Sequence, residues 1–258
     1  MLVKDVMTRN VITIDKNRKL SDAIKLIEKN RISRVVVTDS GKVCGIVTEK
    51  DLIKTLGSSK TKRILPSTLH VSAAMRSALI AVREDAEIRE AALLMVQNKV
   101  SSLPVIDGGQ LTGIVTTTDI LKILKDCEEK VSSVLSKHVI TVIPTDRIVH
   151  ARRLMLDNEI SGVVVVEEGD VVGMLTERDL MRALGRFKKL ADRYQHRRIR
   201  NMLVGDVMTQ DVKTLEVNAT IGEAAKLMLE NSISGIPVTE KGKLAGMVTK
   251  ADLAKLLF

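Results

Sequence analysis

The sequence predicts an α/β protein made of one β-α-β-β-α unit written four times, and three observations carry that prediction. The segment Gly45-Ile46-Val47-Thr48-Glu49-Lys50-Asp51 returns at Gly113–Asp119, Gly173–Asp179 and Gly246–Asp252. Its threonines, Thr48, Thr116, Thr176 and Thr249, lie 68, 60 and 73 residues apart (116−48, 176−116, 249−176), and the upstream markers Met7, Met75, Leu135 and Met208 keep those spacings. Each copy therefore runs 41 residues from marker to threonine (48−7), and every length difference falls between copies. Finally, short β-branched runs alternate with stretches of helical period, the mark of mixed α/β units.

Taken in order, Val11-Ile12-Thr13-Ile14 reads as a strand. Leu20, Ala23, Ile24 and Ile27 follow at the spacing of one helical face, with Ser21-Asp22 near the start to satisfy free amides. Ile88-Ala91-Ala92-Met95 and Ile221-Ala224-Ala225-Met228 keep that face, whereas Arg152 interrupts it in copy three. Arg34–Thr38 and Val43–Val47, joined by Asp39-Ser40-Gly41-Lys42, form a hairpin with polar and glycine turn chemistry. A last helix spans about Glu49 to Leu56. Near-continuous apolar runs such as Val163–Val166 belong in sheets covered by helices. One unit of roughly 50 residues buries too little surface to stand alone, so pairing is expected. The pairs are placed at 1–126 (copies at 1–57 and 68–125) and 127–258 (130–185 and 203–258), with the boundary in the short Lys125–Lys130 stretch. The two pairs are expected to form a disc with a pseudo-two-fold axis.

Composition narrows the function. The 258 residues carry 45% hydrophobic and 28% charged side chains, which is globular. No apolar run approaches the ~20 residues that span a bilayer, and the acid at Asp5 precedes any signal-peptide core, so a cytoplasmic protein with no membrane partner is expected. Cys44 and Cys127 lack metal or disulfide spacing. The net charge of +9 suits nucleic acid, anionic surfaces or phosphorylated small molecules, but 1% aromatic residues argues against stacking on single strands.

The order V-x-D-V-M-T, strand, helix, I-S-x-h-P-V, G-h-V-T-x-x-D resembles the cystathionine beta-synthase (CBS) domain, two tandem copies of which make a Bateman module. The layout resembles stand-alone four-CBS proteins and the gamma subunit of AMP-activated protein kinase. The resemblance implies a sensor that holds an adenosine ligand in clefts between paired repeats and signals to a separate, unidentified protein partner. The ligand would be AMP, ADP or ATP, with S-adenosylmethionine or methylthioadenosine as the alternative and no prosthetic group. It implies that Asp51, Asp119, Asp179 and Asp252 grip the ribose diol, by the charge-assisted bonds a carboxylate accepts from two hydroxyls. Thr48, Thr116, Thr176 and Thr249 stand at strand-to-helix junctions, where a hydroxyl caps the helix and can meet a ribose or phosphate oxygen. The competing reading is that Thr and Asp simply cap four short helices.

Further site candidates are weaker. Pro104 and Pro237, in a stretch that frames adenine in the family, suit an edge or first-strand position because they lack an amide donor. Copies one and three have Val36 and Val164 there. Arg34 matches a position from which the kinase subunit presents a base to phosphate, and Lys50, Arg178 and Lys250 lie inside the T-x-x-D segments; Arg152 is a further candidate. Thr13, Thr141 and Thr214 border the first strand, with Ala81 in copy two. Gly45 and its counterparts mark a close approach by a ligand or a neighbouring helix. Residues 186–200 hold seven Lys/Arg against one acid, with Phe187, Leu190, Ala191 and Tyr194 at helical spacing. An amphipathic connector helix is expected there, and nucleic-acid binding through it is the alternative of another class. His70, His138, His150 and His196 form no metal or nucleophile spacing with the cysteines, and neither GxxxxGK[ST] nor GxGxxG occurs, so no enzyme is expected. Self-association into a homodimer stays open.

Overall fold

The computed structural model describes residues 1–57, 65–188 and 201–258, with side chains of 185–188 excepted. Most of the basic connector, and with it the expected amphipathic helix and its nucleic-acid role, lies outside the described residues.

Copy one comprises α1 (Val3–Val6), β1 (Thr13–Asp15), α2 (Leu20–Asn30), β2 (Arg34–Asp39), β3 (Lys42–Thr48) and α3 (Glu49–Leu56). Copy two has α4 (Ile88–Gln97), β4 (Ser102–Asp107), β5 (Gln110–Thr116) and α5 (Thr117–Ile123). Copy three has β6 (Thr141–Val142), α6 (Ile148–Asp157), β7 (Gly162–Glu167), β8 (Asp170–Thr176) and α7 (Glu177–Lys188). Copy four has β9 (Leu215–Glu216), α8 (Ile221–Glu230), β10 (Gly235–Glu240), β11 (Lys243–Thr249) and α9 (Lys250–Ala254). Where copy one opens on α1, the others open on a 3₁₀ turn at Val71–Ala73, Val131–Ser133 or Val204–Asp206. Those opening turns were not anticipated from the sequence.

Each hairpin turn places two residues at positive φ, Ser40-Gly41, Gly108-Gly109, Glu168-Gly169 and Lys241-Gly242, as a two-residue turn matched to strand twist requires. Past the turn every hairpin carries a bulge at the same register, between Val37/Thr38, Val105/Ile106, Val165/Val166 and Val238/Thr239. The first strand is shorter than expected: Thr13–Asp15 in copy one, two residues in copies three and four, and a single Val82↔Val105 bridge in copy two. In copy one Val36 N donates to Ile12 O at 3.4 Å. Proline cannot make that bond, and in copy four β9 joins β10 only from Val238 onward. Pro237 thus sits in the middle strand of its sheet rather than at an edge, where its missing donor shortens the neighbour.

The expected helical faces are buried: Leu20, Ala23, Ile24 and Ile27 on α2, and Ile221, Ala224, Ala225 and Met228 on α8. The start of α2 differs from expectation. Its N-cap is Lys19 without a side-chain cap, and Asp22 pairs with Arg18. Backbone does the capping instead. Leu20 N donates to Leu69 O, Ile88 N to Met1 O, Ile148 N to Met202 O and Ile221 N to Glu129 O. Copies one and two thus cap each other's helices, as do copies three and four.

Hydrophobic packing runs crosswise to that interlock. One core cluster joins Ile24, Leu52, Ile53 and Leu56 of copy one to Met155, Leu180, Met181 and Leu184 of copy three. The other joins Ile88, Ile120 and Leu121 of copy two to Ile221, Leu253 and Ala254 of copy four. Helix α3 packs on α7, and α5 on α9. Among the described residues no helix is long and apolar enough to cross a membrane.

Candidate functional site

The four T-x-x-D segments start helices α3, α5, α7 and α9, and in each the Thr and Asp cap one another. Asp51 Oδ2 accepts from Thr48 N at 3.0 Å and Thr48 Oγ1 at 2.6 Å, while Asp51 N donates to Thr48 Oγ1 at 3.2 Å. Asp252 repeats that pattern with Thr249 at 3.0, 2.6 and 3.3 Å, and Asp179 with Thr176 at 2.9, 2.6 and 3.4 Å. Asp119 Oδ2 accepts from Thr116 N and Oγ1 at 2.9 and 3.0 Å, but Thr116 Oγ1 receives Thr118 N instead. Oδ2 is thus committed to the helix start in every copy. The remaining oxygen, Oδ1, is the one that faces outward chemistry.

Oδ1 is where the copies part. Asp51 Oδ1 accepts from Arg76 Nε at 2.7 Å, Asp119 Oδ1 from Lys122 at 2.7 Å and Asp252 Oδ1 from Lys255 at 2.9 Å. Asp179 Oδ1 has no partner among the described residues. Arg76 was not anticipated from the sequence. It follows the marker Met75, where the other copies have Thr8, Ser136 and Thr209, so aligning the copies one residue further would have exposed it.

Those marker segments explain the repeated glycine. Arg76 exchanges two backbone hydrogen bonds with Ile46, and Thr8, Ser136 and Thr209 make the matching bridges to Ile114, Met247 and Met174. A Cβ at Gly45 would lie 2.6 Å from Arg76 O, and one at Gly173 only 2.5 Å from Met208 Sδ. The close approach is made by the segment leading into the partner copy, neither ligand nor helix. Each T-x-x-D site is therefore built by one copy and overlaid by the segment leading into its partner.

The basic candidates gather where the copies meet. Arg178 Nε donates to Glu49 Oε1 at 2.9 Å and its Nη2 to Ser33 Oγ at 3.4 Å, joining copy three to copy one. Lys250 Nζ donates to Thr118 Oγ1 at 2.9 Å, joining copy four to copy two. Burial, reinforced by Arg34 and Arg178, draws the Lys250 ammonium down to about 8, against the pull of Asp119. Burial also lowers the Arg34 guanidinium, with Glu49 and Glu177 opposing. Burial pushes Glu177 up to about 7, with Lys50 opposing and Glu49 and Asp51 adding to the rise. Arg34, Lys50, Arg178 and Lys250, four of the expected cations, thus share one electrostatic neighbourhood with the buried Glu49 and with Glu177.

Other candidates stand apart. Thr13, Thr141 and Thr214 are exposed at or beside the first strand, and Pro104 and Pro237 are buried in β4 and β10. Arg152 does not join the cation group: its Nε and Nη2 donate to Ile53 O (3.0 Å) and Lys54 O (3.3 Å), closing the C-terminal end of α3 from copy three. A concavity of about 550 Å³ beside Thr145, Asp146, Arg147, Val149, His150 and Arg153 contains no expected site residue. No group of three or more His, Cys, Asp or Glu among the described residues could hold a metal ion.

The CBS domain pattern matches this chain four times, at residues 3–58, 71–126, 131–186 and 204–258. The chain belongs to the CBS-domain family. Its CBS repeats take up almost all of the sequence. It is 31% identical over 270 residues to the uncharacterized protein MJ1404 of Methanocaldococcus jannaschii, covering 99% of this chain and 61% of that one, so this chain spans less than two thirds of that relative. The fold matches the crystal structure of MJ1225 from the same organism, proposed as an archaeal homolog of g-AMPK, at a TM-score of 0.89 and 24% identity over 100% of both chains. A conserved protein from Pyrococcus horikoshii matches at 0.68 and 25%, again over the whole of both. The fold of the MJ1225 structure is shared along the full length of both chains.

Proposed function

We propose that this CBS protein is a sensor of adenosine nucleotides, AMP, ADP or ATP, which bind between paired repeats and alter how repeats one to four lie against each other. The modules are taken as 1–126 and 127–258, and a separate protein partner reads the change. The observation that carries this reading is the cation group at the junction of the repeats. The Arg34 guanidinium has no ion pair or hydrogen bond among the described residues, and the Lys250 ammonium bonds only a hydroxyl there. Crowded, desolvated cations are unfavourable unless an anion joins them. A nucleotide's phosphate supplies that anion, while a T-x-x-D carboxylate a few residues away suits its ribose. The +9 charge fits an anionic ligand. A chain made of regulatory repeats supports signalling rather than catalysis. The ligand moves the equilibrium only by its difference in affinity for the two arrangements.

A thermal-shift panel of AMP, ADP, ATP, S-adenosylmethionine, methylthioadenosine, GMP and a short RNA tests it. Ligand at about 100 times Kd adds ~2.7 kcal/mol of stability. Stabilisation by AMP, ADP or ATP above the thioether and sulfonium nucleosides supports the reading. Stabilisation by the latter alone moves the ligand to that class. A response to RNA only, steeply salt-dependent, replaces the sensor with a nucleic-acid binder.

A further inference from the structure

The Asp51 and Asp179 sites occupy equivalent positions in copies one and three, yet their carboxylates are engaged differently. A carboxylate offers about four acceptor positions. Among the described residues Asp51 has three filled, two by Thr48 and one by Arg76, and Asp179 has two filled, both by Thr176. A vicinal diol needs two. Asp179 can take both hydroxyls as it stands, whereas Asp51 must first release Arg76.

The cations on the other two carboxylates differ in kind. Lys122 reaches back three residues within α5 and Lys255 reaches back three residues from the 3₁₀ turn that follows α9; their side chains are 52% and 55% exposed and retreat into water at little cost. Arg76 comes from the segment leading into the partner repeat, and its backbone is held by two hydrogen bonds to Ile46. Its side chain is 45% exposed and water can take the guanidinium, but leaving the 8% exposed Asp51 carboxylate forfeits a charged hydrogen bond that an anion on the ligand restores and a neutral nucleoside does not. We propose that Arg76 makes the Asp51 cleft selective for nucleosides that carry an anionic group, with the phosphate drawing the guanidinium away as the ribose takes its place. This rests on the ribose role proposed for the T-x-x-D aspartates. Thr209, at the Arg76 position in the partner of copy three, imposes no such condition on the Asp179 cleft. The uncharged nucleoside is admitted there.

A methionine lies in the segment overlying each site. Met75 Sδ lies beside Gly45, and Met208 Sδ beside Gly173. Methionine-methyl NMR, with the two signals assigned through M75L and M208L, follows titrations with adenosine and with AMP. In the parent protein adenosine shifts the Met208 signal and leaves Met75 in place, while AMP shifts both. In R76A adenosine also shifts Met75, and the preference of that cleft for AMP over adenosine drops about tenfold or more, the scale of one charged hydrogen bond. R76Q, which ends in a neutral donor at the position of Nε and so removes the charge, gives the same result if R76A alters signals throughout. Equal response of Met75 to both ligands in the parent overturns the proposal, as does loss of AMP binding in the variants without a gain for adenosine. If no methionine responds to either ligand, the sensor reading itself fails, a different outcome from either.

Discussion

The two crossings between copies are built on equivalent helices but with different electrostatics. Where α3 meets α7, copies one and three bring an acid and a base each: Glu49 pairs with Arg178, yet the mirror pair does not close, and Glu177 stays desolvated beside Lys50. Where α5 meets α9, Thr117-Thr118 faces Lys250-Ala251, and the one polar link is lysine to hydroxyl. The first crossing closes one ion pair and leaves Arg34 and Glu177 without one among the described residues. The second holds a cation without an ion pair among the described residues. Equivalent helix pairs thus yield one ion-paired contact and one without an ion pair.

The sharpest way to break that contrast is R178M. It leaves the Glu49 carboxylate, 7% exposed, without its partner, and urea unfolding is expected to lose about 3–5 kcal/mol. E177Q comes next. A carboxyl held near 7 in the folded protein and 4.5 when unfolded binds its proton more tightly when folded, so stability falls as pH rises from about 4.5 to about 7. E177Q is expected to remove that decline and to gain about 2 kcal/mol at pH 8, read by unfolding across pH. K250M probes the other crossing. An ammonium lowered to about 8 releases its proton more readily when folded, so stability rises between about 8 and 10.5. K250M flattens that rise, adds about 1–2 kcal/mol at pH 7 and weakens phosphate-bearing ligands, seen by calorimetry. Smallest is T48A, which removes a helix cap and costs about 1 kcal/mol.

Much of the fold was legible because its signals are local. Leu20, Ala23, Ile24 and Ile27 announced a helix face, and Ser40-Gly41 a turn that requires positive φ at both positions. The T-x-x-D junctions emerged as helix caps for the same reason. What stayed hidden depends on neighbours distant in sequence. Ser21 and Asp22 look like caps, but the amides of α2 are taken by Leu69 and Pro66 carbonyls from the approach to the next repeat. Arg152 breaks an apolar pattern because it closes a helix almost one hundred residues earlier. Gly45 marks a crossing strand that no single repeat contains, and Arg76 gains meaning only once that strand lies over Asp51.

The reciprocal capping of helices by the segments that precede each repeat sets the smallest piece that can exist alone. A solitary repeat would present an uncapped α2 and a bare groove at its glycine, each demanding a second copy to fill it. Cutting the gene in half preserves that exchange but strips Ile53 and Leu56 of Met181 and Leu184, so each half would seek another of its kind, face to face. Covalent fusion of two such halves replaces a concentration-dependent assembly by a permanent one and frees each face to diverge, as the unequal crossings already have.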